Sequence, residues 1–187
     1  MIYVFGLGNY PKQYDRTRHN VGVDTLALLA AFYQVKLRKR CFRLYKSAQF
    51  KTERGDVCLV FPLTYMNNSG QVVPELVEEG DEVIVLCDQM DLPPGEIKLK
   101  KKGSSAGHNG LKSMMEALPQ NFTRLYIGVG HPDEDVTVPD YVLSRPNDID
   151  RALIDKASSA AVSALVEYFK GERFELVQQK INSFSAR

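Results

Sequence analysis

The sequence predicts an α/β fold, namely a single three-layer domain in which a twisted mixed β-sheet is flanked by helices. Short apolar runs typical of buried strands alternate along the chain with longer segments of helical periodicity. The 187 residues, 44% of them hydrophobic, are enough for one substantial core, and no internal repeat marks a second. We therefore expect residues 1–187 to form one domain.

The chain begins with a strand and continues into a helix. Residues 2–7 form an apolar run that ends at Gly8, and Pro11 lies in the polar loop that leads to His19. A core-facing helix is predicted over 21–35 because its apolar residues recur at approximately helical spacing. These residues are Val21, Leu28, Leu29, Phe32 and Val35.

A hairpin and a second helix are predicted next. Segments 47–53 and 56–61 flank a turn at Arg54–Gly55, which is the pattern of two antiparallel strands. A polar loop then leads into a helix over 71–79, in which Pro74 is tolerable because it falls near the first turn.

Further strands are predicted from their apolar patterns. Segments 82–87 and 124–130 are apolar along most of their length, as in strands buried on both faces of a sheet. Segment 96–102 alternates apolar and lysine side chains, which indicates a strand with one solvated face. A short edge strand is expected at 141–143.

The remaining helices lie after the polar loop 103–110 and in the C-terminal third. A short helix is predicted over 111–118. Two longer ones are predicted over 148–170 and 172–181, separated by Gly171, a residue that commonly ends helices.

The composition predicts a cytosolic protein with reduced thiols. The first residues start a strand at once, without a basic n-region or an apolar stretch long enough for a signal or a membrane span. Cys41, Cys58 and Cys87 are odd in number and widely spaced, which argues against a disulfide framework and against structural zinc.

The charge is balanced overall but unevenly distributed. The net charge is +1, yet segment 36–54 contains eight basic residues against one acid. A second basic run, 98–102, contains four lysines, and the segment between the two runs is acidic. A single run is usually a solvated face, whereas two runs in a neutral protein favour a local polyanion-binding face.

All three histidines lie in loops rich in Gly, Asn and Pro, which favours a site over a packing role. They are His19, His108 and His131. In α/β folds ligands gather at loops beyond strand ends, and Asp88 follows a buried apolar strand. A carboxylate on the far nitrogen of a histidine fixes its tautomer and stabilises its protonated form. Asp88 is therefore the best candidate to orient a histidine such as His19 as a base for water, and its alternative role is to cap the turn at Pro93–Pro94. The asparagine side chains in the same loops suit the recognition of an acyl bond.

Two other chemistries can be drawn from the same loops. The motif Gly103-Ser104-Ser105-Ala106-Gly107 matches G-x-S-x-G, which would make Ser105 a nucleophile with His131 as its base. The three histidines with Asp88 could form a zinc site, but the spacing of a metal motif is absent. Both are less favoured than water activation by His19.

Five spaced motifs together resemble the bacterial-type peptidyl-tRNA hydrolases over nearly the whole chain. The first motif joins Gly6-Leu7-Gly8-Asn9 with Thr17-Arg18-His19-Asn20-Val21-Gly22. The others are PLTYMNNSG at 62–70, DQMDLPPG at 88–95, GHNGLK at 107–112 and GVGHP at 128–132. Five motifs in order form a specific signal.

This resemblance implies a cytoplasmic, monomeric esterase without metal or cofactor that cleaves the ester between a peptide and the 3′ ribose of tRNA. It implies that His19 is the general base for water and that Asp88 orients it. The residues that the resemblance places in substrate binding are Asn9, Tyr14, Tyr65, Met66, Asn67 and Asn109. The alternative within the same fold is a non-catalytic RNA-binding protein, against which the intact His19 and Asp88 argue.

The resemblance also implies a contact with tRNA phosphate. Lys100 matches a family lysine thought to meet the 5′ phosphate, where a point charge on an exposed strand is reasonable. The chain departs from the family at Tyr126, where a basic residue is expected, so that Arg124 would have to supply the second half of a phosphate clamp. The basic run beginning at Lys36 would compensate for the loss.

Overall fold

The computed structural model describes residues 1–118 and 121–187. In that part of the chain it contains one seven-stranded mixed sheet with the order β2-β3-β4-β1-β5-β7-β6. The strands are β1 (Ile2–Gly6), β2 (Arg38–Lys39), β3 (Tyr45–Thr52), β4 (Gly55–Pro62), β5 (Glu82–Gln89), β6 (Ile97–Lys100) and β7 (Thr123–Gly128). The helices are α1 (Val21–Phe32), α2 (Asn109–Ala117), α3 (Val138–Val142), α4 (Asp148–Phe169) and α5 (Phe174–Asn182). Short 3₁₀ segments occupy Lys12–Tyr14, Arg18–Asn20 and Met66–Glu75.

The sheet separates two hydrophobic cores, which confirms the predicted three-layer α/β class. Alternate residues of β1 point to opposite faces: Ile2 and Val4 pack in the core under α1, α4 and α5, whereas Tyr3 and Phe5 pack in the core under α2 and Met66–Glu75. Strands β1, β4, β5 and β7 are parallel, and β3 and β6 are antiparallel to their neighbours. The parallel strands are buried on both faces because helices cover both sides of the sheet.

Helix α1 lies unusually close to the sheet because it carries Gly22. A Cβ atom at this position would lie 2.2 Å from the Leu86 carbonyl oxygen and 2.8 Å from the Leu7 carbonyl oxygen. The backbone of both strands is therefore in contact with the first turn of α1. This close packing fixes the position of His19, which precedes the helix by two residues.

We expect Gly22→Ala to lower the free energy of unfolding by about 3 kcal/mol, because the clash with strand backbone forces the helix outward. Urea denaturation measures this loss. Ala27→Ser on the exposed face of the same helix is the control, and it should stay within about 0.5 kcal/mol of the original protein. Equal stability of the two variants would show that α1 can shift at no cost.

Two predicted elements are wrong. The helix expected over 71–79 is a 3₁₀ segment that begins earlier, at Met66, and has a kink at Asn68. The interior Pro74 is incompatible with a regular α-helix there. The edge strand expected at 141–143 is instead the end of helix α3, which contains Tyr141 and Val142 and is followed by Leu143. The helix is capped by a hydrogen bond from the Asp140 backbone N–H to the Thr137 hydroxyl.

The other predicted helices and strands are confirmed to within a few residues at their ends. Helix α1 is an exception in detail, because it ends at Phe32 and leaves Leu28 and Phe32 exposed. Val21 and Leu29 are buried as expected, and Leu26 and Ala30 complete the core face. No helix in the described ranges combines the length and apolar character needed to cross a membrane.

Candidate active site

A cleft of about 590 Å³ opens at the carboxyl ends of the central parallel strands. The predicted catalytic and substrate-binding residues line it without exception: Asn9, Tyr14, His19, Tyr65, Met66, Asn67, Asp88 and Asn109. They come from loops after β1, β4 and β6 and from the end of β5. The fold thus brings together residues that lie up to 100 positions apart, at the edge of the sheet where α/β proteins usually bind ligands.

The centre of the cleft is a buried carboxylate that contacts two imidazoles. Asp88 is 4% exposed and lies near the end of β5. Its Oδ1 atom lies 2.9 Å from Nδ1 of His19 and 2.8 Å from Nε2 of His108. Both distances are those of good hydrogen bonds to a charged acceptor.

The hydrogen-bond partners determine the tautomers of the two histidines. The Leu111 backbone N–H donates to Nδ1 of His108 at 3.2 Å, so that this nitrogen carries a lone pair and the ring proton is on Nε2, facing Asp88. His19 likewise places a proton on Nδ1, because an ionised carboxylate oxygen can only accept. Nε2 of His19 is left with a lone pair, which is the form required of a general base.

Electrostatics stabilise the ionised carboxylate. Burial alone would raise the pKa of Asp88, but the charges of His19 and His108 and their hydrogen bonds outweigh it and hold this pKa well below the usual range. Burial alone would lower the pKa of His19, but the charge and hydrogen bond of Asp88 outweigh that effect and raise this pKa above its ordinary value. The site therefore stabilises the protonated form of His19.

Asn9 is held so that its amide nitrogen is free to donate. Its Oδ1 atom accepts a hydrogen bond from the Met66 backbone N–H at 2.8 Å, which fixes the orientation of the amide. Asn20 holds the backbone of Asn9 from both sides, since its Oδ1 accepts from the Asn9 N–H and its Nδ2 donates to the Asn9 carbonyl. A rigid N–H donor in the cleft is suited to bind a carbonyl oxygen or an oxyanion.

Helix α3 and the residue after it form an apolar wall of the cleft, with Val138, Pro139, Val142 and Leu143. Arg18, directly before His19, holds this wall: its Nη1 donates to the Ser144 hydroxyl at 2.6 Å, and its guanidinium lies 4.0 Å from the centre of the Tyr141 ring. The Tyr141 hydroxyl in turn donates to the Val129 carbonyl. The loop that carries His19 and the apolar wall are therefore one connected structure.

The structure does not place Arg124 on the surface, so its expected contact with phosphate needs correction. Arg124 is 2% exposed because β7 lies between β5 and β6, and its Nη1 donates to the Phe122 carbonyl. Lys100, the other residue of the expected clamp, is exposed on the edge strand β6. Of the two residues of the expected clamp, only Lys100 is therefore exposed to solvent.

The histidine needed for a serine nucleophile lies elsewhere. Ser105 lines the cleft, but Nε2 of His131 is 2.7 Å from Oδ1 of Asp91 in an exposed pair outside it. The structure thus separates Ser105 from His131, the histidine expected to act as its base.

Metal binding by the same centre is geometrically conceivable. His19, Asp88 and His108 offer one ligand atom each within 4.8 Å of one another. However, the Leu111 N–H requires a lone pair on Nδ1 of His108, which places the ring proton on the nitrogen that a metal would need. The arrangement fits hydrogen bonds better than a metal ion.

Three residues support the site in ways that the sequence does not indicate. The sequence presents His108 only as a loop histidine and a possible zinc ligand, and Asn20 and Arg18 only as members of a motif. The position of His108 directly before a helix is a possible signal, since its Nδ1 accepts from the third residue onward as an N-cap does. The contacts of Asn20 and Arg18 with distant loops have no local signal.

The fold and the cleft define an α/β protein with an imidazole–carboxylate centre, the type of site found in many hydrolases. A family model described as peptidyl-tRNA hydrolase matches residues 3–187. A peptidyl-tRNA hydrolase of Geobacillus kaustophilus is 43% identical over 171 residues, covering 88% of this chain and 91% of that protein. The corresponding protein of Haemophilus ducreyi is 37% identical over 189 residues, with 98% and 97% covered.

Solved structures agree with this assignment. A crystal structure of peptidyl-tRNA hydrolase in complex with N-propanol has a TM-score of 0.90 and 32% identity, covering 100% of this chain and 97% of that one. The enzyme of Acinetobacter baumannii has a TM-score of 0.89 with 32% identity, covering 99% and 96%. The chain belongs to the peptidyl-tRNA hydrolase family and is a hydrolase.

Proposed function

We propose that this protein hydrolyses the ester bond between a peptide, or an N-blocked amino acid, and the 3′ ribose of tRNA, with His19 as general base for water and Asp88 as its orienting partner. The observation that carries the proposal is the hydrogen bond from Nδ1 of His19 to the buried Asp88, which leaves Nε2 of His19 unprotonated at the cleft. Family membership supports the choice of substrate, because the relatives are named for peptidyl-tRNA.

The reaction follows from this arrangement. Nε2 of His19 takes a proton from water as the water oxygen attacks the ester carbonyl carbon. The tetrahedral intermediate then breaks its bond to the ribose oxygen, and the imidazolium returns the proton to that leaving oxygen. The products are a peptide carboxyl group and a free ribose hydroxyl. Asp88 stabilises the imidazolium that exists between the two proton transfers.

Asparagine side chains supply hydrogen bonds to the substrate in this mechanism. The amide nitrogen of Asn9 donates to the developing oxyanion or the peptide backbone, since its oxygen is already occupied by Met66. Asn67 and Asn109 line the same cleft with exposed amides and hold the peptide and the water. Amides are suited to this task because they donate without titrating.

The remaining predicted residues bind the ends of the substrate. Tyr14, Tyr65 and Met66 form the walls that contact the peptide and the terminal nucleotide. Lys100 contacts tRNA phosphate from the edge strand β6. Arg124 contributes only its positive charge from beneath that surface.

Release of diacetyl-lysine from diacetyl-lysyl-tRNA by the purified protein tests this function. Hydrolysis is expected, and Ser105→Ala should retain it, because His131, the expected base of Ser105, lies outside the cleft. Binding of tRNA without any release would instead indicate a non-catalytic RNA-binding protein of this fold. Loss of activity in Ser105→Ala together with labelling of Ser105 by a fluorophosphonate would indicate a serine esterase. The monomeric state and the cytoplasmic location remain predictions. Size-exclusion chromatography tests the first and cell fractionation tests the second.

The raised pKa of His19 predicts the pH dependence of hydrolysis. The base acts only when neutral, so kcat/KM should fall as the pH decreases through this pKa. Because Asp88 raises the pKa, the half-maximal point should lie above about 6.5, the ordinary value for histidine. A pH–rate profile on N-blocked aminoacyl-tRNA gives this midpoint, and a plateau that extends well below pH 6 would contradict the role of His19.

A further inference from the structure

A strongly basic turn projects from the sheet on the side away from Lys100. It joins β2 to β3 and comprises residues 38–46, here called the basic turn, with five cations: Arg38, Lys39, Arg40, Arg43 and Lys46. Arg43 is paired with Glu75 at 2.9 Å. Among the residues that the structure describes, no carboxylate lies within 4.0 Å of the other four cations. This concentration of unneutralised charge is unexpected in a protein with a net charge of only +1.

An exposed aromatic ring lies in the middle of these cations. Phe42 is 99% exposed, and its φ of 59° is in the left-handed region that glycine or asparagine usually occupies. The Arg43 N–H donates to the Arg40 carbonyl at 3.1 Å, which makes Phe42 the third residue of a tight turn. The exposure and the left-handed backbone are both unfavourable for phenylalanine, and packing within the chain does not account for either. Such an outlier points to a ligand.

The basic turn lies at the same end of the strands as the cleft, namely the carboxyl end of β4. Strand β3 runs antiparallel to β4, so its first residue, Tyr45, pairs with the last residue of β4, Pro62. The Leu63 N–H donates to the Leu44 carbonyl, and the Arg43–Glu75 pair ties the turn to the 3₁₀ segment whose first residues line the cleft. Two strand spacings, about 10 Å, separate β3 from β1, which leads to Asn9.

Two half-exposed tyrosines lie after the strands that separate β3 from β5, and one of them, Tyr65, lines the cleft. Tyr10 follows β1 and Tyr65 follows β4, and their ring centres are 5.6 Å apart. Cations, an exposed phenylalanine and a tyrosine pair thus follow one another along the edge of the sheet towards His19. Positive charge combined with exposed aromatic rings is the usual composition of a surface that binds RNA backbone and stacks bases.

We propose that the basic turn is a second tRNA-binding surface, at which cations contact phosphates of the tRNA body and Phe42 stacks on a base or ribose. This inference rests on the proposed function. RNA is favoured over an acidic peptide because every nucleotide carries a phosphate, whereas a peptide offers carboxylates only where its sequence contains them. Lys100 on β6 and the basic turn beside β2 lie on the two opposite edge strands of the sheet, so the proposed surface is separate from that of Lys100.

The test compares the double variant Lys39→Gln/Arg40→Gln with a matched control, Lys51→Gln/Lys170→Gln. The control residues are exposed cations at the opposite end of the sheet, since Lys51 pairs with Asp56 in β4 and Lys170 follows α4. On full-length N-blocked aminoacyl-tRNA, the first variant should raise KM about 10-fold with unchanged kcat, and the slope of log KM against log salt should decrease by about 2. The control should change neither quantity.

The same ester on a short 3′ fragment of tRNA distinguishes the tRNA body from the acceptor end. The KM of Lys39→Gln/Arg40→Gln should match that of the unmodified protein on this fragment. An equal rise in KM on both substrates would overturn the proposal, because it would place the cations at the cleft. Phe42→Gly should raise KM several-fold on full-length substrate without lowering Tm, because glycine tolerates the left-handed backbone. An unchanged KM in that variant would remove Phe42 from the surface.

Crosslinking through Cys41 tests the contact with tRNA directly, because Cys41 is exposed within the turn while Cys58 and Cys87 are buried. A photo-crosslinker attached to Cys41 should form adducts with the tRNA body. Adducts confined to the peptide, or none at all, would overturn the proposal. Binding of uncharged tRNA to the same variants separates this inference from the proposed function: weaker binding by Lys39→Gln/Arg40→Gln would support the surface even if no hydrolysis occurred.

Discussion

Replacement of His19 by alanine is expected to lower kcat by about 10² to 10⁴-fold on N-blocked aminoacyl-tRNA, while KM stays within a few-fold of its original value. The loss is large because His19 supplies the proton acceptor for water at the cleft, and the described cleft offers no second imidazole with a free lone pair. His108 cannot replace it, since one of its nitrogens faces Asp88 and the other accepts from Leu111. Steady-state kinetics on the purified variant measure both constants.

His131→Ala is the matched control for this experiment. His131 is also paired with an aspartate, Asp91, but it is exposed and lies outside the cleft. It should leave kcat within about twofold. If the two variants were equally active, His19 would not be the base.

Asp88→Asn is expected to lower kcat by about 10³-fold and to shift the acidic limb of the pH profile to lower pH. Asparagine removes the negative charge that raises the pKa of His19 and stabilises its protonated form. A neutral histidine is then available at lower pH, but it is a weaker base and is less well oriented. The pH dependence of kcat/KM for the original protein and the variant gives both effects.

A loss of activity by unfolding would not produce this shift. Thermal unfolding should confirm that Asp88→Asn is folded at the assay temperature, since the asparagine oxygen can still accept a hydrogen bond from one histidine. An acidic limb at the same pH in both proteins would contradict the assignment of Asp88 as the orienting partner of His19.

Much of the fold follows from the sequence because its strands are strongly patterned. The buried parallel strands, such as β5, are almost continuously apolar, and the hairpin β3–β4 is marked by a turn with glycine. The sequence does not indicate helix α3, because Tyr141, Val142 and the following Leu143 favour a strand locally. Its formation depends on the cap at Thr137 and on the interaction of Tyr141 with Arg18, which is 123 positions distant.

The pairing of His19 with Asp88 could be predicted because each follows or precedes a recognisable element at the same edge of the sheet. The second imidazole on Asp88 could not, since loop 101–108 gives no indication of where His108 lies until α2 is packed against Met66–Glu75. The expectation for Arg124 failed for a related reason. A single arginine in an apolar strand gives no indication of whether its side chain reaches solvent, and here it folds over Phe122 inside the protein.

The central claim is that His19, oriented by Asp88, activates water for hydrolysis of the ester to tRNA. A single-turnover experiment tests it most directly, because excess protein over N-blocked aminoacyl-tRNA removes product release from the measured rate. We predict that His19→Ala binds the substrate as the original protein does and releases the amino acid at least about 10²-fold more slowly. Release by His19→Ala at the original rate would contradict the claim.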